Sequence, residues 1–308
     1  MLDENKEKSI EYWNNNAKNW KRIAYNPEGD LSLFPTSQVR NEVVINELIK
    51  LGKKNAKILD IGCADGRLIR DMLKAGFTQV KGIDNSEKMI VEAKSLLKEE
   101  FPELNQDNIF FVEDADKLSS LNEKFDYITA IGLIEYVKDI NSFFVSLHNL
   151  LVNDGLAFIE SRNKLFNLFS ANHFTSKIED IPALIEEINS IKNLSPVQDQ
   201  GKVVLDTFQR IGNELNESKI NFSLQKNSFE KYPFNLPQYT PLEFVNFCEK
   251  NNLKTNEIIY YHCHPFAPKY ESEFTQLFNK LGIMMQPLGY TPLGALICSS
   301  FVAKVRKK

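Results

Sequence analysis

A chain of 308 residues stands at the size where single hydrophobic cores stop growing, so one large domain and two small ones are both open. With 43% hydrophobic and 25% charged residues it has the composition of an ordinary soluble globular protein, and no apolar run approaches the ~20 residues that span a bilayer. The formal charge of -4, with no basic block beyond Arg306-Lys307-Lys308, argues against a nucleic-acid partner, while four scattered cysteines and a polar start without a signal region point to reduced thiols in a cytoplasm.

Over residues 9–21, Ile10, Trp13, Ala17 and Trp20 fall near one helical face with Tyr12 beside them, which predicts an amphipathic N-terminal helix packed on the body. Residues 39–51 predict a second such helix, closed by Gly52. Arg40 at its start reads equally as a bidentate clamp for a cofactor carboxylate or as a solvated surface residue.

The densest signal lies in residues 56–84. Lys57 to Ile61 reads as a buried strand, cut by Gly62-Cys63-Ala64-Asp65-Gly66; Leu68, Ile69, Met72 and Leu73 then recur at helical spacing up to Gly76. A second strand, residues 80–84, ends on the Asp84 carboxylate. Such a unit suits a nucleotide-like ligand: glycines let backbone pass beneath it, the helix N-terminus offers free N–H groups, and the acid accepts from both ribose hydroxyls. A dinucleotide fingerprint would place glycines at Gly62, Ala64 and Arg67, and Arg67 breaks it.

Ser86 is the N-cap of a helix whose buried stripe is Met89, Ile90, Ala93, Leu96 and Leu97, ended by Phe101-Pro102. Residues 108–112 read as a third strand, followed at once by Glu113-Asp114-Ala115-Asp116. Residues 125–131 make a nearly all-apolar fourth strand, as a strand covered on both faces should be, running into Gly132-Leu133-Ile134-Glu135-Tyr136-Val137. A helix through Ile140, Phe143, Phe144, Leu147, Leu150 and Leu151 stops at Asp154-Gly155, and residues 156–160 form strand five. Strand and helix thus alternate five times, which predicts a parallel sheet with right-handed crossovers and helices on both faces.

Residues 161–235 are too many for a plain connection and carry two predicted helices, one from Asp180-Ile181-Pro182 and one through Val203, Phe208, Ile211 and Leu215. Thr240-Pro241-Leu242-Glu243 is a capping box. Strand six is expected at residues 257–263 and strand seven at 296–305.

Asp60-x-Gly62-x-Ala64-x-Gly66 resembles the first motif of the class I S-adenosylmethionine-dependent methyltransferases, in particular the small-molecule type similar to ubiquinone-biosynthesis methyltransferases; Ala64 stands where that family most often has glycine. The 132–137 stretch resembles the family's fourth-strand signature, and the ending resembles its last strand pair. The resemblance implies a Rossmann-like α/β fold: a seven-stranded sheet, mostly parallel with the last strand antiparallel, and helices on both faces. The family does not fix the insertion after strand five, whose two predicted helices read as a helical cap over the strand ends; the chain then divides into an N-terminal lid (1–38), a core (39–162 and 236–308) and an inserted substrate cap (163–235). The resemblance also implies S-adenosyl-L-methionine as cofactor and S-adenosyl-L-homocysteine as product. Asp60 with Gly62, Cys63, Ala64 and Gly66 would hold the methionine moiety, Asp84 and Asn85 the ribose, and Asp114 and Ala115 the adenine, with Ile131, Arg40 and Tyr12 completing the site. The segment of residues 25–36 would close with the N-terminal helix.

Methyl transfer is an in-line displacement that needs alignment and, for a hydroxyl acceptor, a base. A hydroxyl of a small molecule is the expected acceptor, and the missing Asn/Asp-Pro-Pro-aromatic run argues against a base-amine methylase. Candidate catalytic residues are His173, His262 and Glu135; Tyr136, Arg162 and His264 are candidate substrate contacts, and His148 reads as a surface or packing residue. His262 and His264 share a face with Cys263 pointing away, but no third ligand has a diagnostic spacing, so no metal is expected. Two rival readings remain: a nicotinamide-dependent oxidoreductase or epimerase, disfavoured by Arg67 and the lack of a Tyr-x-x-x-Lys pair, and a non-catalytic cofactor-binding protein.

Overall fold

Side chains along the first strand alternate between two cores, Ile58 entering one and Leu59 and Ile61 the other, so this strand must be covered on both faces. A computed structural model shows how; it describes residues 2–20, 34–170, 187, 190–191, 194, 196, 199–217, 236–271 and 273–308. Strands β1 (Lys57–Ile61), β2 (Gln79–Asp84), β3 (Phe110–Val112), β4 (Phe125–Ala130), β5 (Leu151–Arg162), β6 (Leu253–Cys263) and β7 (Cys298–Lys307) form one sheet in the order β3-β2-β1-β4-β5-β7-β6. The first five pair in parallel, and β7 runs antiparallel between β5 and β6. This is the expected Rossmann-like sheet. Its order reverses between β1 and β4, so a crevice opens at their carboxyl ends.

The helices are α1 (Leu2–Asn16), α2 (Thr36–Leu51), α3 (Arg67–Lys74), α4 (Glu87–Glu100), α5 (Ile140–Leu150), α6 (Phe166–Ser170), α7 (Gln200–Glu217), α8 (Pro241–Lys250), α9 (Thr275–Met285) and α10 (Gly294–Ile297). Val44 and Leu48 of α2, Ile69 and Met72 of α3 and Ala93 and Leu97 of α4 cover one face with Phe77, Phe110 and Phe158. Phe143 and Phe144 of α5 and Phe244 of α8 cover the other with Phe301. Several ends follow the expected signals. Gly52 closes α2 in the left-handed conformation, Ser86 caps α4, and Thr240 with Glu243 forms the capping box of α8.

Some boundaries differ from expectation. The first helix starts earlier and gives way after Asn16 to a 3-10 turn, Ala17–Asn19. β3 is shorter because residues 106–108 make a 3-10 turn capped by Asn105. β5 starts at Leu151 because Leu151 already pairs with Phe125; the register shift behind it, with Asp154 at φ 62°, is absorbed as a bulge, not a break. β6 likewise reaches back to Leu253 past a register shift near Thr255, whereas Leu296 belongs to α10 and not to β7. The helix expected from Asp180 lies almost wholly outside the described residues. The second helix of that insertion is α7, and its Arg210 Nη2 donates to the Met284 carbonyl of α9 at 2.6 Å. Among the described residues no helix is long and apolar enough to cross a membrane.

Candidate active site

The turn after β1 owes its shape to three left-handed residues, Gly62 (φ 74°), Ala64 (φ 47°) and Gly66 (φ 69°). At Gly66 a Cβ would stand 2.4 Å from the Phe110 ring, so only glycine fits. Ala64 takes the same conformation with a methyl group, held by its N–H donating to Asp84 Oδ2 at 3.0 Å. The N–H groups of Gly62 and Cys63 both donate to the Ile83 carbonyl, at 2.8 and 3.0 Å, and Gly66 N–H to Cys63 O at 2.8 Å. Arg67 N–H meets Asp65 Oδ1 at 3.3 Å. The expectation of free N–H groups is therefore corrected over these positions: the turn closes on β2 and on itself. Cys63 packs its side chain inward, 5% exposed, over Gly82.

Acids occupy the strand tips. Asp84 Oδ1 accepts from Ser86 N–H at 2.8 Å, and Asn85 lies between them at the rim; burial nonetheless pushes the Asp84 carboxyl up. Asp60, only 2% exposed, accepts from Thr129 Oγ1 at 2.7 Å, and burial pushes it up to about 7 against the pull of Thr129 and Arg40. Arg40 is no solvated surface residue: its Nη1 lies 3.3 Å from Glu160 Oε2. It passes through the space left by Gly132 (φ 66°), where a Cβ would stand 2.6 Å from Nη1. Ile131, buried, ends the β4 tip just before this gap.

At the tip of β3, both Asp114 oxygens accept from Lys6 Nζ at 2.8 Å, and Lys6 also reaches Asp116. Burial works upward on Asp114, but the hydrogen bonds and charge of Lys6 outweigh it and hold the carboxyl below its ordinary value. Asp114 also caps the 3-10 turn that Ala115 opens. Helix α1 is fixed at two further points. Asn14 Oδ1 accepts from Ser86 Oγ at 2.8 Å, and the Trp13 ring meets Tyr136 edge to face with centroids 6.0 Å apart. Tyr12 stands edge-on to Trp13 at 5.0 Å. The N-terminal helix thus lies across the tips of β2, β3 and β4.

Beyond β4 the remaining candidates gather. Glu135 Oε1 accepts from the Arg162 N–H at 3.1 Å, while its Oε2 is enclosed with no hydrogen-bond partner among the described residues. Burial first, then the charge of Glu160, push the Glu135 carboxyl up to about 7 against the Arg162 charge. Glu160 is held by Arg40 and by the Tyr261 hydroxyl, which donates to Oε1 at 2.5 Å. His262 (φ 60°) shares a proton with Ser299 Oγ at 3.0 Å through Nδ1 and lies under the Phe34 ring, centroids 4.4 Å apart. Burial and the Arg162 charge push it down to about 3, so its imidazole is neutral.

His264, expected as a substrate contact, is packed among aromatic rings. It is 4% exposed between Phe166, Phe278 and His262, and neither ring nitrogen has a hydrogen-bond partner among the described residues. The shared face of His262 and His264 is as expected, and Cys263 points to Cys298. His173 lies outside the described residues, as does most of the expected lid loop. Lys6, Asn14, Gly132, Glu160 and Tyr261 were not singled out in the sequence. Lys6 and Trp13, two turns apart on one helical face, were the signal for a helix laid over acids and an aromatic residue.

A family model described as a methyltransferase domain matches residues 38–166. Ubiquinone biosynthesis O-methyltransferases of Pelagibacter ubique and Glaesserella parasuis are 31% and 32% identical to this chain over 166 and 164 residues, 51% of the chain. The matches cover 65% of either relative, so the chain spans just under two thirds of their length. Among solved structures, magnesium protoporphyrin IX methyltransferase from Synechocystis, with bound SAH, superposes with a TM-score of 0.55 at 14% identity, covering 99% of this chain and 100% of that one. At that identity the likeness establishes the fold.

Proposed function

We propose that this chain, whose residues 38–166 match a methyltransferase-domain model, is a class I, S-adenosylmethionine-dependent methyltransferase acting on a hydroxyl oxygen of a small molecule, with S-adenosyl-L-methionine as cofactor and S-adenosyl-L-homocysteine as product. The observation that carries the reading is the pair of acids, Asp84 and Asp114, at neighbouring strand tips beside the left-handed turn at Gly62 to Gly66. The donor set fits the cofactor: the Lys6 ammonium already donates to both Asp114 oxygens, the acceptors that an exocyclic amine would use. Asp84 and Asn85 would take the ribose, Asp60 the amino group of the methionine moiety, and Arg40 its carboxylate. When bound, the cofactor supplies a methyl carbon made electrophilic by its sulfonium.

The chain's own contribution is alignment and a proton acceptor. Glu135, poised at about 7 with Oε2 unengaged, is the better base, because a base works best with a pKa near the working pH. His262, at about 3, binds protons too weakly for that task and lines the pocket as a neutral imidazole with Arg162. With the cofactor bound, the acceptor hydroxyl would take the methyl in line with the departing sulfur, and its proton would pass to Glu135. Helix α1 would act as the lid and residues 163–235 as the cap that selects the acceptor. The likeness to two ubiquinone biosynthesis O-methyltransferases supports the choice of oxygen as the acceptor atom. Incubation with labelled S-adenosylmethionine and a panel of small phenols, alcohols and amines tests the reading; label found only on amines, or on none while the cofactor binds, would contradict it.

A further inference from the structure

Cys263 closes β6, Cys298 opens β7, and the two are register partners across the antiparallel ladder. The His264 N–H donates to the Ile297 carbonyl at 2.8 Å, one step outside the pair. Cys263 and Cys298 are therefore a non-hydrogen-bonded pair, the kind in which facing Cα atoms approach to ~4.5 Å and side chains come closest. That spacing lies within the ~4.4–6.8 Å range in which two cysteines can be bridged without moving backbone. Their sulfurs face each other at 2.8 Å, and both side chains are fully buried. Cys63 and Cys248, by contrast, lie in the cores on opposite faces of the sheet. Methyl transfer uses none of these thiols.

We propose that Cys263 and Cys298 are an oxidation site, at which a small neutral peroxide converts the two thiols to a disulfide joining β6 to β7. One sulfur attacks the peroxide: an S–O bond forms, the O–O bond breaks, and the departing hydroxide takes up the thiol proton as water. The second sulfur then attacks the sulfenic acid: the S–S bond forms, the S–O bond breaks, and the second proton leaves with it as water. Two thiols and one peroxide give one disulfide and two waters, the sulfurs losing two electrons and the peroxide gaining them. Burial keeps the Cys298 thiol protonated, so the reaction is slow, and the enclosing wall, where Cys263 Sγ contacts the Met285 carbonyl at 3.5 Å, favours a small uncharged oxidant. Because His262 and His264 flank Cys263, the bond would fix the strand end that carries both imidazoles.

The full reduced chain, treated with hydrogen peroxide without denaturant, is alkylated in denaturant, digested and analysed by mass spectrometry without reduction. The expected result is a peptide containing Cys263 joined to one containing Cys298, lighter by two hydrogens than the reduced pair and separated by dithiothreitol, with Cys63 and Cys248 alkylated. Cys298→Ala should abolish the joined species; the wild-type digest decides even where that variant misfolds. Recovery of Cys263 and Cys298 as two alkylated thiols, oxidation of either to a sulfinic acid without joining, or a bridge to Cys63 or Cys248 overturns the proposal.

Discussion

Glu135 is the proposed base, and its protonation sets two expectations. Glu135→Gln keeps the shape but accepts no proton, so methyl transfer should fall by ~10²–10⁴-fold while S-adenosylhomocysteine still binds. With the wild type, the rate should rise as pH climbs through about 7, because the base must be ionised. A flat profile in a steady-state pH series would remove Glu135 from that role. Asp60 gives a separate signature in stability. Its folded value of about 7 stands above the ordinary 3.8, so the folded chain holds a proton that the unfolded chain releases. That contribution is complete at acid pH and is lost as pH rises through about 7; thermal melts across this range should show a decline that Asp60→Asn flattens. The acids at the strand tips were legible in the sequence because Asp60 and Asp84 lie in the last two residues of their strands and Asp114 lies just past β3. Their partners were not, because Arg40 meets Glu160 and Lys6 meets Asp114 across 120 and 108 positions of chain.

Two elements frame the crevice. The turn between β1 and α3 has no room at Gly66, where an added Cβ would overlap Phe110 at 2.4 Å and adopt a left-handed backbone. Gly66→Ala should therefore cost about 1–3 kcal/mol in denaturant unfolding; a change within error would mean that Phe110 moves aside freely. Helix α1 is pinned by Lys6, Asn14 and Trp13, with the ammonium shared between two carboxylates. Lys6→Met should speed amide exchange in residues 2–16 and leave the sheet protected, and unchanged exchange would show that Trp13 and Asn14 suffice. The turn was legible because glycine spacing reports backbone conformation. The place of α1 was not: an aromatic stripe says that a helix packs, while what it packs on is fixed by tertiary contacts alone.

At the scale of the molecule, alternation of apolar runs was enough to place all seven strands, since buried parallel strands read as near-continuous Val, Ile and Phe, while the antiparallel final pair followed from the family resemblance alone. Boundaries drifted where a bulge lets a strand run through residues that look like a turn, as at Asp154-Gly155 in β5. Helix α9 escaped notice because Met284, Met285 and Gly282 give a weak periodic signal in a stretch dense in Gly and Pro. Everything functional rests on the crevice at the β1 and β4 tips binding an adenosyl amino acid. Isothermal titration with S-adenosylhomocysteine and, separately, NAD tests this most directly. Saturable binding of S-adenosylhomocysteine is expected, weakened at least ~10-fold by Asp84→Asn through the loss of a charged acceptor, with no heat from NAD. Binding of NAD alone, or S-adenosylhomocysteine affinity untouched by the Asp84 change, would contradict it.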